Sequence, residues 1–261
     1  MHENESLLSS VQMKVSNAEP YGERYYAWQK QGASASAEVV LPIVLDLVSP
    51  KSMLDVGCGT GAWLRVALEH GIEDVLGFDG GTGELVIPAE NFRRVDLEDP
   101  LDAGRRFDLA ICMEVAEHLV PGRARSLVDD LCRSADVVLF SAAIPGQGAP
   151  GPIEHLNEGW QSYWAGLFSD LGYATVDAIR PVIWDDSRIA FWYRQNAFIA
   201  VAPSSPLELE GARTIRDVVH PDLWRHVNAD LWSNDATPRE LLRELPRALL
   251  GKIRRRVALF G

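Results

Sequence analysis

An acidic residue followed by a glycine-rich turn is the first group in this sequence that could do chemistry. Asp55 lies in the apolar segment MLDV, and GCGTG and the helical pattern AWLRVALEH follow. A strand, a glycine turn and a helix N-terminus together form a common binding place for nucleotide-type ligands, because glycines let the backbone approach closely. The spacing is GxGxG, not the GxGxxG of dinucleotide-binding proteins. A carboxylate at Asp55 would repel a pyrophosphate, so it favours a ligand that presents an ammonium group.

Three further strand ends carry suitable groups. Asp79 follows the second predicted strand and is placed to accept both hydroxyls of a ribose, a role that NAD enzymes share. Asp96 and Leu97 follow the third, where a carboxylate and a backbone amide can take an adenine, and Glu114 and Val115 follow the fourth. Suitable groups at four successive strand ends are a more specific signal of a cofactor site than a group at any single strand end.

These segments carry a family resemblance. LDVGCGTG, GFDG, VDLEDP and FDLAICMEVAEHL resemble the successive motifs of class I S-adenosylmethionine (SAM)-dependent methyltransferases, over roughly residues 36–202. The resemblance implies SAM as cofactor, with Gly57 to Gly61 against its methionine part, Asp79 on the ribose, and Asp96 and Leu97 at the adenine. The predicted cofactor residues are Asp55, Gly57, Cys58, Gly59, Thr60, Gly61, Asp79, Gly80, Asp96, Leu97, Glu114 and Val115. Gly80 and Gly81 stand where such enzymes often carry a larger apolar residue, so we expect a differently formed adenine pocket.

Two histidines are the predicted catalytic residues. Methyl transfer from a sulfonium depends mainly on positioning and exclusion of water, but a hydroxyl acceptor profits from a base whose pKa is near 7. His118 follows the fourth strand, and a long Gly/Pro loop after the fifth strand brings His155, Asn157 and Glu158 to the next helix. A loop of this length is often functional. For Asn157, a helix N-cap is an equally good interpretation.

The acceptor site is predicted to include Asn157, Glu158, Tyr163, Trp184 and Asn196. For Tyr163, as for Trp160 and Trp164, a core stripe at helical spacing is the competing interpretation. The segments HLNE and RPVIWDDSRIAFWYRQN resemble a subgroup of bacterial methyltransferases from glycan or natural-product pathways. That resemblance implies a small polar or sugar-bearing acceptor.

Alternating helical patterns and short apolar runs predict βα units and hence a mostly parallel sheet. The family resemblance implies an α/β, three-layer Rossmann-like fold with seven strands, the last of them antiparallel. The predicted strands are Ser52 to Val56, Val75 to Phe78, Phe92 to Val95, Leu109 to Met113, Val137 to Ser141, Tyr173 to Ile179 and Phe191 to Ala202. Only a loop separates the last two, which predicts an antiparallel seventh strand. The predicted helices are Ala37 to Val48, Ala62 to His70, Gly122 to Cys132 and Glu158 to Leu171, and Gly71 and Gly172 close two of them.

Composition and charge limit the classes of molecule that this protein is expected to bind. The net charge of −12 argues against nucleic acid and leaves a small-molecule acceptor. Cys58, Cys112 and Cys132 have no pair spacing, so we expect no disulfide and no metal site. With no secretory pattern and no long apolar run, the sequence predicts a cytoplasmic protein without a transmembrane segment.

Three regions are predicted: an aromatic-rich cap over residues 1–35, a SAM-binding core over 36–202 and a helical extension over 203–261. In the cap, Tyr25, Tyr26 and Trp28 could close over the site, although packing on the first helix is the favoured use. In the extension, residues 239–261 carry a local charge of +5 and several leucines. This segment could lie on an anionic membrane surface, but packing on its own domain is favoured.

The same residues are also compatible with other functions. SAM could be attacked at another carbon, for example by cyclisation that releases methylthioadenosine. The chain could bind SAM or a partner without catalysis, and an NAD dehydrogenase is the least favoured alternative. The oligomeric state is not predicted.

Overall fold

The computed structural model describes residues 23–81, 83–148, 155–207 and 214–227, with the backbone alone at 23–31 and 226–227. Seven strands form one sheet. They are β1 (Ser52–Val56), β2 (Asp74–Asp79), β3 (Phe92–Arg94), β4 (Leu109–Met113), β5 (Val137–Ser141), β6 (Ala174–Val176) and β7 (Phe198–Val201). The helices are α1 (Glu23–Val48), α2 (Ala62–Glu69), α3 (Ala124–Ser134), α4 (Gln161–Asp170), α5 (Arg180–Ile183), α6 (Phe191–Asn196) and α7 (Pro221–Val227).

The strand order is β3-β2-β1-β4-β5-β7-β6. The first five strands are parallel, and β7 runs antiparallel to both β5 and β6. The predicted fold class, with its antiparallel last strand, is confirmed. The order reverses between β1 and β4, so a crevice lies outside the carboxyl ends of these two strands, the usual ligand position in such sheets.

Alternating apolar residues give the sheet two buried faces. In β1, Leu54 and Val56 belong to one core cluster and Met53 to the other, as the two-residue period of a strand requires. On the first face α3 and α4 pack through residues such as Leu127 and Phe168. On the second face α1 and α2 contribute their apolar sides. The sheet between two helix layers is the predicted three-layer arrangement.

The prediction was wrong in detail between the sixth and seventh strands. Residues 180–183 and 191–196 form helices α5 and α6, where the sequence analysis expected a loop and the start of a long strand. Strand β7 therefore begins only at Phe198. Helix α6 buries its polar residues Gln195 and Asn196, whose side-chain amides find partners on other elements. Those partners are distant in sequence, so local patterning did not reveal the helix.

Helix α1 begins earlier than predicted and crosses residue 35, the expected end of the cap. Long-range contacts hold this part of the helix. The ring of Trp192 lies 3.3 Å from the position that a Cβ would take at Gly32, and Ser36 Oγ accepts a hydrogen bond from the backbone of Ala190 at 3.0 Å. Such contacts override the weak helix propensity of glycine and serine. The predicted domain boundaries stay predictions.

Part of the C-terminal region packs on the core. Arg194 forms an ion pair with Asp222 at 2.7 Å, and the His220 backbone N–H donates to Gln195 Oε1 at 2.8 Å. The predicted basic segment 239–261 lies outside the described residues. No helix within the described ranges is long and apolar enough to cross a membrane.

Candidate active site at the carboxyl ends of β1, β4 and β5

The glycine turn after β1 is held by close packing and by backbone hydrogen bonds. The amides of Gly57 and Cys58 both donate to Phe78 O, at 2.7 and 3.1 Å. Gly57 has φ of +83°, and a Cβ there would lie 2.2 Å from Val115. Gly61 has φ of +91°, and a Cβ there would meet Ile87 at 2.7 Å. Both positions therefore require glycine.

Gly59 differs from its neighbours in the turn. Its φ is +57°, yet a Cβ built there meets no described heavy atom within 4 Å. The tip of the turn therefore borders open space, where a ligand can approach the backbone. Thr60 fixes the far side of the turn, because its carbonyl accepts a hydrogen bond from Val86 N at 2.9 Å.

Asp55 is a buried acid without a complete set of partners. Its side chain is 1% exposed, and its Oδ2 has no hydrogen-bond partner among the described residues. Burial raises the pKa of this carboxyl well above its usual range, and the Asp79 carboxylate raises it further. An unpaired buried polar atom is costly. A cationic ligand group would satisfy it, which fits the predicted ammonium.

Asp79 closes β2 and links two loops. Its Oδ2 accepts from Gly59 N at 2.8 Å, and its Oδ1 accepts from Gly81 N at 2.6 Å. Gly80 lies between, where a Cβ would meet only Val95 O at 3.3 Å. Each carboxylate oxygen retains a lone pair for a further donor. The geometry is compatible with the predicted ribose contact.

The predicted adenine residues lie beyond β3. Asp96 is exposed, and its Oδ1 accepts from Glu98 N at 3.0 Å. The carbonyl of Leu97 accepts from Arg123 Nε at 2.9 Å, and buried Arg123 also pairs with Asp130. This anchor fixes the backbone at Leu97. Their contact with a cofactor stays a prediction.

Glu114 begins the loop after β4 in a strained conformation, with φ of +57°. Asn196 Nδ2 donates to its Oε1 at 3.0 Å, and Gln147 Nε2 donates to its Oε2 at 2.8 Å. Gln195 Nε2 donates to Gln147 Oε1 at 2.9 Å and completes a partly buried polar network. Burial raises the pKa of the Glu114 carboxyl, while the hydrogen bond from Asn196 lowers it.

Two members of this polar network, Gln147 and Gln195, were not predicted from the sequence. Asn196, predicted as an acceptor residue, and Glu114, predicted as a cofactor residue, are brought into direct contact. The one local signal for Gln147 was its position between two glycines of the long loop. Gln195 lay inside a predicted strand and gave no signal.

The predicted catalytic histidines lie together. The rings of His118 and His155 pack edge to face with centroids 4.8 Å apart. The backbone connects their segments, because the amides of Leu156 and Asn157 both donate to Glu117 O, at 2.7 and 2.9 Å. Val115, which contacts Gly57, precedes His118 by three residues and so joins the cofactor turn to the histidines.

Glu158 fixes the loop that carries His155. Its Oε2 accepts from Gly146 N at 2.6 Å, and its Oε1 accepts from Gly148 N at 2.7 Å and lies 2.9 Å from His155 Nδ1. A Cβ at Gly148 would lie 2.6 Å from that same nitrogen. Glu158 is therefore placed to orient the imidazole. Residues 149–154 of the loop lie outside the described residues.

The remaining predicted acceptor residues differ in their burial and in their contacts. Asn157 has a buried Nδ2 without a hydrogen-bond partner among the described residues, and it is not an N-cap, since α4 begins after Trp160. Tyr163 is 43% exposed, whereas Trp164 belongs to the core. Trp184 packs on His220, with centroids 4.5 Å apart. None of the described contacts joins Trp184 to the histidine pair. The side chains of Tyr25, Tyr26 and Trp28 lie outside the described residues.

Comparisons with known proteins agree with this architecture. Residues 28–135, somewhat under half of the chain, match the family model described as a methyltransferase domain. A stretch of 76 residues is 33% identical to the ubiquinone biosynthesis O-methyltransferase of Azorhizobium caulinodans. That match spans 26% of this chain and 30% of the relative. The chain thus matches about a third of the length of this curated relative.

A solved structure shares the fold at low identity. The sugar N-methyltransferase KedS8 from a Streptoalloteichus species superposes with a TM-score of 0.51 at 16% identity, over 76% of this chain and 99% of that one. The amino pentose methyltransferase CalS10 from Micromonospora echinaspora gives 0.49 at 16% identity, over 69% and 97%. Residues 28–135 therefore match a methyltransferase domain in sequence, and the chain shares its fold with the sugar N-methyltransferase KedS8.

Proposed function

We propose that this protein transfers the methyl group of SAM to an oxygen or nitrogen of a small polar acceptor. One observation carries the proposal: the loop after β4 contacts the glycine turn through Val115 and presents His118 beside His155. A cofactor on the turn and an acceptor at the histidines would therefore meet at the same edge of the sheet. The match of residues 28–135 to a methyltransferase domain supports the reaction type.

The cofactor is assigned to the carboxyl ends of β1 to β4. The unpartnered Asp55 Oδ2 supports a cationic group near β1, and the open space at Gly59 leaves room for the ligand against the turn. Asp79 has lone pairs left for two ribose hydroxyls. When bound, SAM supplies a methyl group on a sulfonium, which is a good leaving group.

His155 is the proposed catalytic base. Glu158 accepts from Nδ1–H of the ring, which leaves Nε2 as a proton acceptor. The acceptor hydroxyl gives its proton to Nε2, its oxygen forms a bond to the methyl carbon, and the carbon–sulfur bond breaks to leave neutral S-adenosylhomocysteine. His118 packs against the ring and restricts its orientation.

The acceptor is proposed to be polar, and sugar-bearing acceptors of bacterial secondary metabolism are the first to test. The network of Glu114, Gln147 and Asn196 offers donors and acceptors that recognise hydroxyl or amino groups. Such groups give strong discrimination, because an analogue that lacks the hydroxyl leaves buried polar atoms unpaired. The relative named for ubiquinone biosynthesis is an O-methyltransferase, which favours a hydroxyl.

The test is turnover with SAM over a panel of nucleotide-linked sugars, amino sugars and phenols. We expect S-adenosylhomocysteine to form only when an acceptor is present. Methylthioadenosine from SAM alone would instead demonstrate cyclisation, and SAM binding without turnover over the whole panel would favour a non-catalytic protein. Tighter calorimetric binding of NAD than of SAM would overturn the cofactor assignment.

A further inference from the structure

Three metal-ligating side chains converge beside the acceptor space. Glu117, His118 and His155 each offer one ligand atom, and these three atoms all lie within 4.8 Å of one another. Glu117 and His118 come from the 3₁₀ turn after β4, whereas His155 comes from the long loop after β5. Cysteine spacing in the sequence predicted no metal site, and it carries no information on this convergence of a glutamate and two histidines.

The carboxylate of this triad is incompletely satisfied. Glu117 is 1% exposed, and its Oε2 has no hydrogen-bond partner among the described residues. Buried charged groups are normally paired or bound to metals, because desolvation without compensation is costly. A cation placed between Glu117 and the two imidazoles would supply the missing partner. This orphaned oxygen is independent of the convergence of the three residues.

One of the two imidazoles is already oriented as metal ligands usually are. Glu158 Oε1 lies 2.9 Å from His155 Nδ1, and two backbone amides hold that carboxylate in place. In protein metal sites, a ligating histidine commonly donates its other ring N–H to a carboxylate, which fixes the tautomer and raises the basicity of the ligating nitrogen. Here the arrangement leaves Nε2 of His155 to face the cation.

We propose that Glu117, His118 and His155 bind one divalent transition-metal cation, with Glu158 as the outer carboxylate that orients His155. Two imidazoles and one carboxylate favour zinc, cobalt, nickel, iron or manganese over magnesium and calcium, which prefer oxygen ligands. Three protein ligands leave at least one position for an acceptor oxygen or nitrogen, as catalytic sites do.

The spacing requires the three side chains to close around the cation. Ligand atoms at about 2.0–2.2 Å from a tetrahedral cation lie about 3.3–3.6 Å apart. The three atoms are within 4.8 Å of one another, so a pair at that limit would close by about 1.2–1.5 Å. Both histidines are partly exposed, which leaves their side chains room to rotate.

The role of the cation rests on the proposed function, but its binding does not. With Nε2 of His155 on the cation, the acceptor would be activated by coordination, which polarises the acceptor oxygen and lowers its pKa so that its proton is released to water. The acceptor would thus be held beside the methyl group of SAM. Metal-free protein would retain only the general-base route.

The experiment is calorimetric titration of the chelator-treated full chain with Zn²⁺ and Co²⁺, without SAM and acceptor, together with the visible absorption of bound Co²⁺. We expect one site per chain with a low-coordinate Co²⁺ spectrum and at least tenfold weaker binding of Mg²⁺. Both Glu117→Gln and His118→Ala should weaken Co²⁺ binding at least tenfold and abolish its spectrum. Glu158→Gln should weaken binding by about 10–100-fold, as outer-shell changes do.

His70→Ala is the matched control, because His70 is exposed at the end of α2, away from the triad. It should bind Co²⁺ like the unchanged protein. Glu117→Gln is a buried change, so circular dichroism checks its folding, and His118→Ala keeps the test decisive if that variant unfolds. A Co²⁺ site that survives in either variant, or no stoichiometric binding at all, would overturn the proposal.

The two proposals can fail separately. SAM affinity, measured on the same variants, should stay within about threefold because the triad lies at the acceptor side. Methyl transfer by an unchanged protein that shows no stoichiometric metal binding would refute the metal site alone. Stoichiometric metal binding without any methyl transfer over the acceptor panel would refute the proposed function alone.

Discussion

The two halves of the candidate site are built in different ways. At the ends of β1 and β2, backbone amides and two aspartates form the surface, and contacts connect neighbouring loops. At the ends of β4 and β5, partly or fully buried side chains from separate segments form it, including Glu114, Gln147 and Asn196. The first half is compatible with a common cofactor, whereas the second offers groups that can be changed singly to select an acceptor. The predictions below test this division.

The largest effect is expected for His155→Ala on the acceptor side. Loss of the proposed base should reduce kcat by about 10²–10⁴-fold, while SAM affinity remains unchanged. The measurement is steady-state kinetics with an identified acceptor, combined with calorimetric SAM titration. His70→Ala is the control at an exposed position. Unchanged kcat would remove His155 from the mechanism.

On the cofactor side, Asp79→Asn should weaken SAM binding by about 10–100-fold, because hydrogen bonds to a charged acceptor contribute about 1.5–3 kcal/mol. The new amide would also face the N–H groups of Gly59 and Gly81. Asp74→Asn, at the opposite end of β2, is the control and should leave SAM affinity unchanged. Equal SAM affinity of the two variants would contradict the ribose assignment.

Asn196→Ala tests the buried polar network. It leaves Glu114 Oε1 without its 3.0 Å donor, so we expect a loss of about 1–3 kcal/mol in the free energy of unfolding, measured with urea. SAM affinity should change less than acceptor KM. Asn91→Ala, beyond this network, should change the free energy of unfolding by no more than about 0.5 kcal/mol. A larger effect on SAM affinity than on acceptor KM would contradict the proposed division between the two halves of the site.

The smallest effect is expected for two glycine variants, which distinguish the cost of backbone strain from the loss of a ligand contact. Gly59→Ala and Gly71→Ala both place a Cβ at positive φ with no described heavy atom within 4 Å. Each should cost about 1 kcal/mol in stability. Because only Gly59 lies on the cofactor turn, only its variant should also weaken SAM binding. Parallel SAM titration of the two variants checks this, and equal affinities would place the ligand elsewhere.

Local patterns predicted the strands and the glycine turn of the β1–β2 half well, whereas the contacts of these residues with a cofactor stay predictions. The β1 strand, the turn and Asp79 lie within one short segment, and the glycines at 57 and 61 meet their neighbours as close backbone approach requires. The bounds of β1, β4 and β5 were predicted residue by residue. These strands are buried on both faces, so their apolar runs are strong signals.

The acceptor half was predicted only in part. The sequence placed His118 and His155 near each other because both follow neighbouring parallel strands. It did not predict α6, the roles of Gln147 and Gln195, or the convergence of Glu117 with the two histidines. In the local sequence, a buried polar residue cannot be distinguished from a surface residue. Its burial depends on a hydrogen-bond partner that is distant in the chain.

The sequence by itself determined the sheet, its antiparallel last strand and the acidic and glycine residues at the ends of its strands, because strand periodicity and glycine turns are local properties. Only the tertiary structure decided which side chains meet at the acceptor side. Glu114 and Asn196 are 82 residues apart in the chain and 3.0 Å apart in the fold. Such a contact depends on strand order and loop packing, which no local pattern specifies.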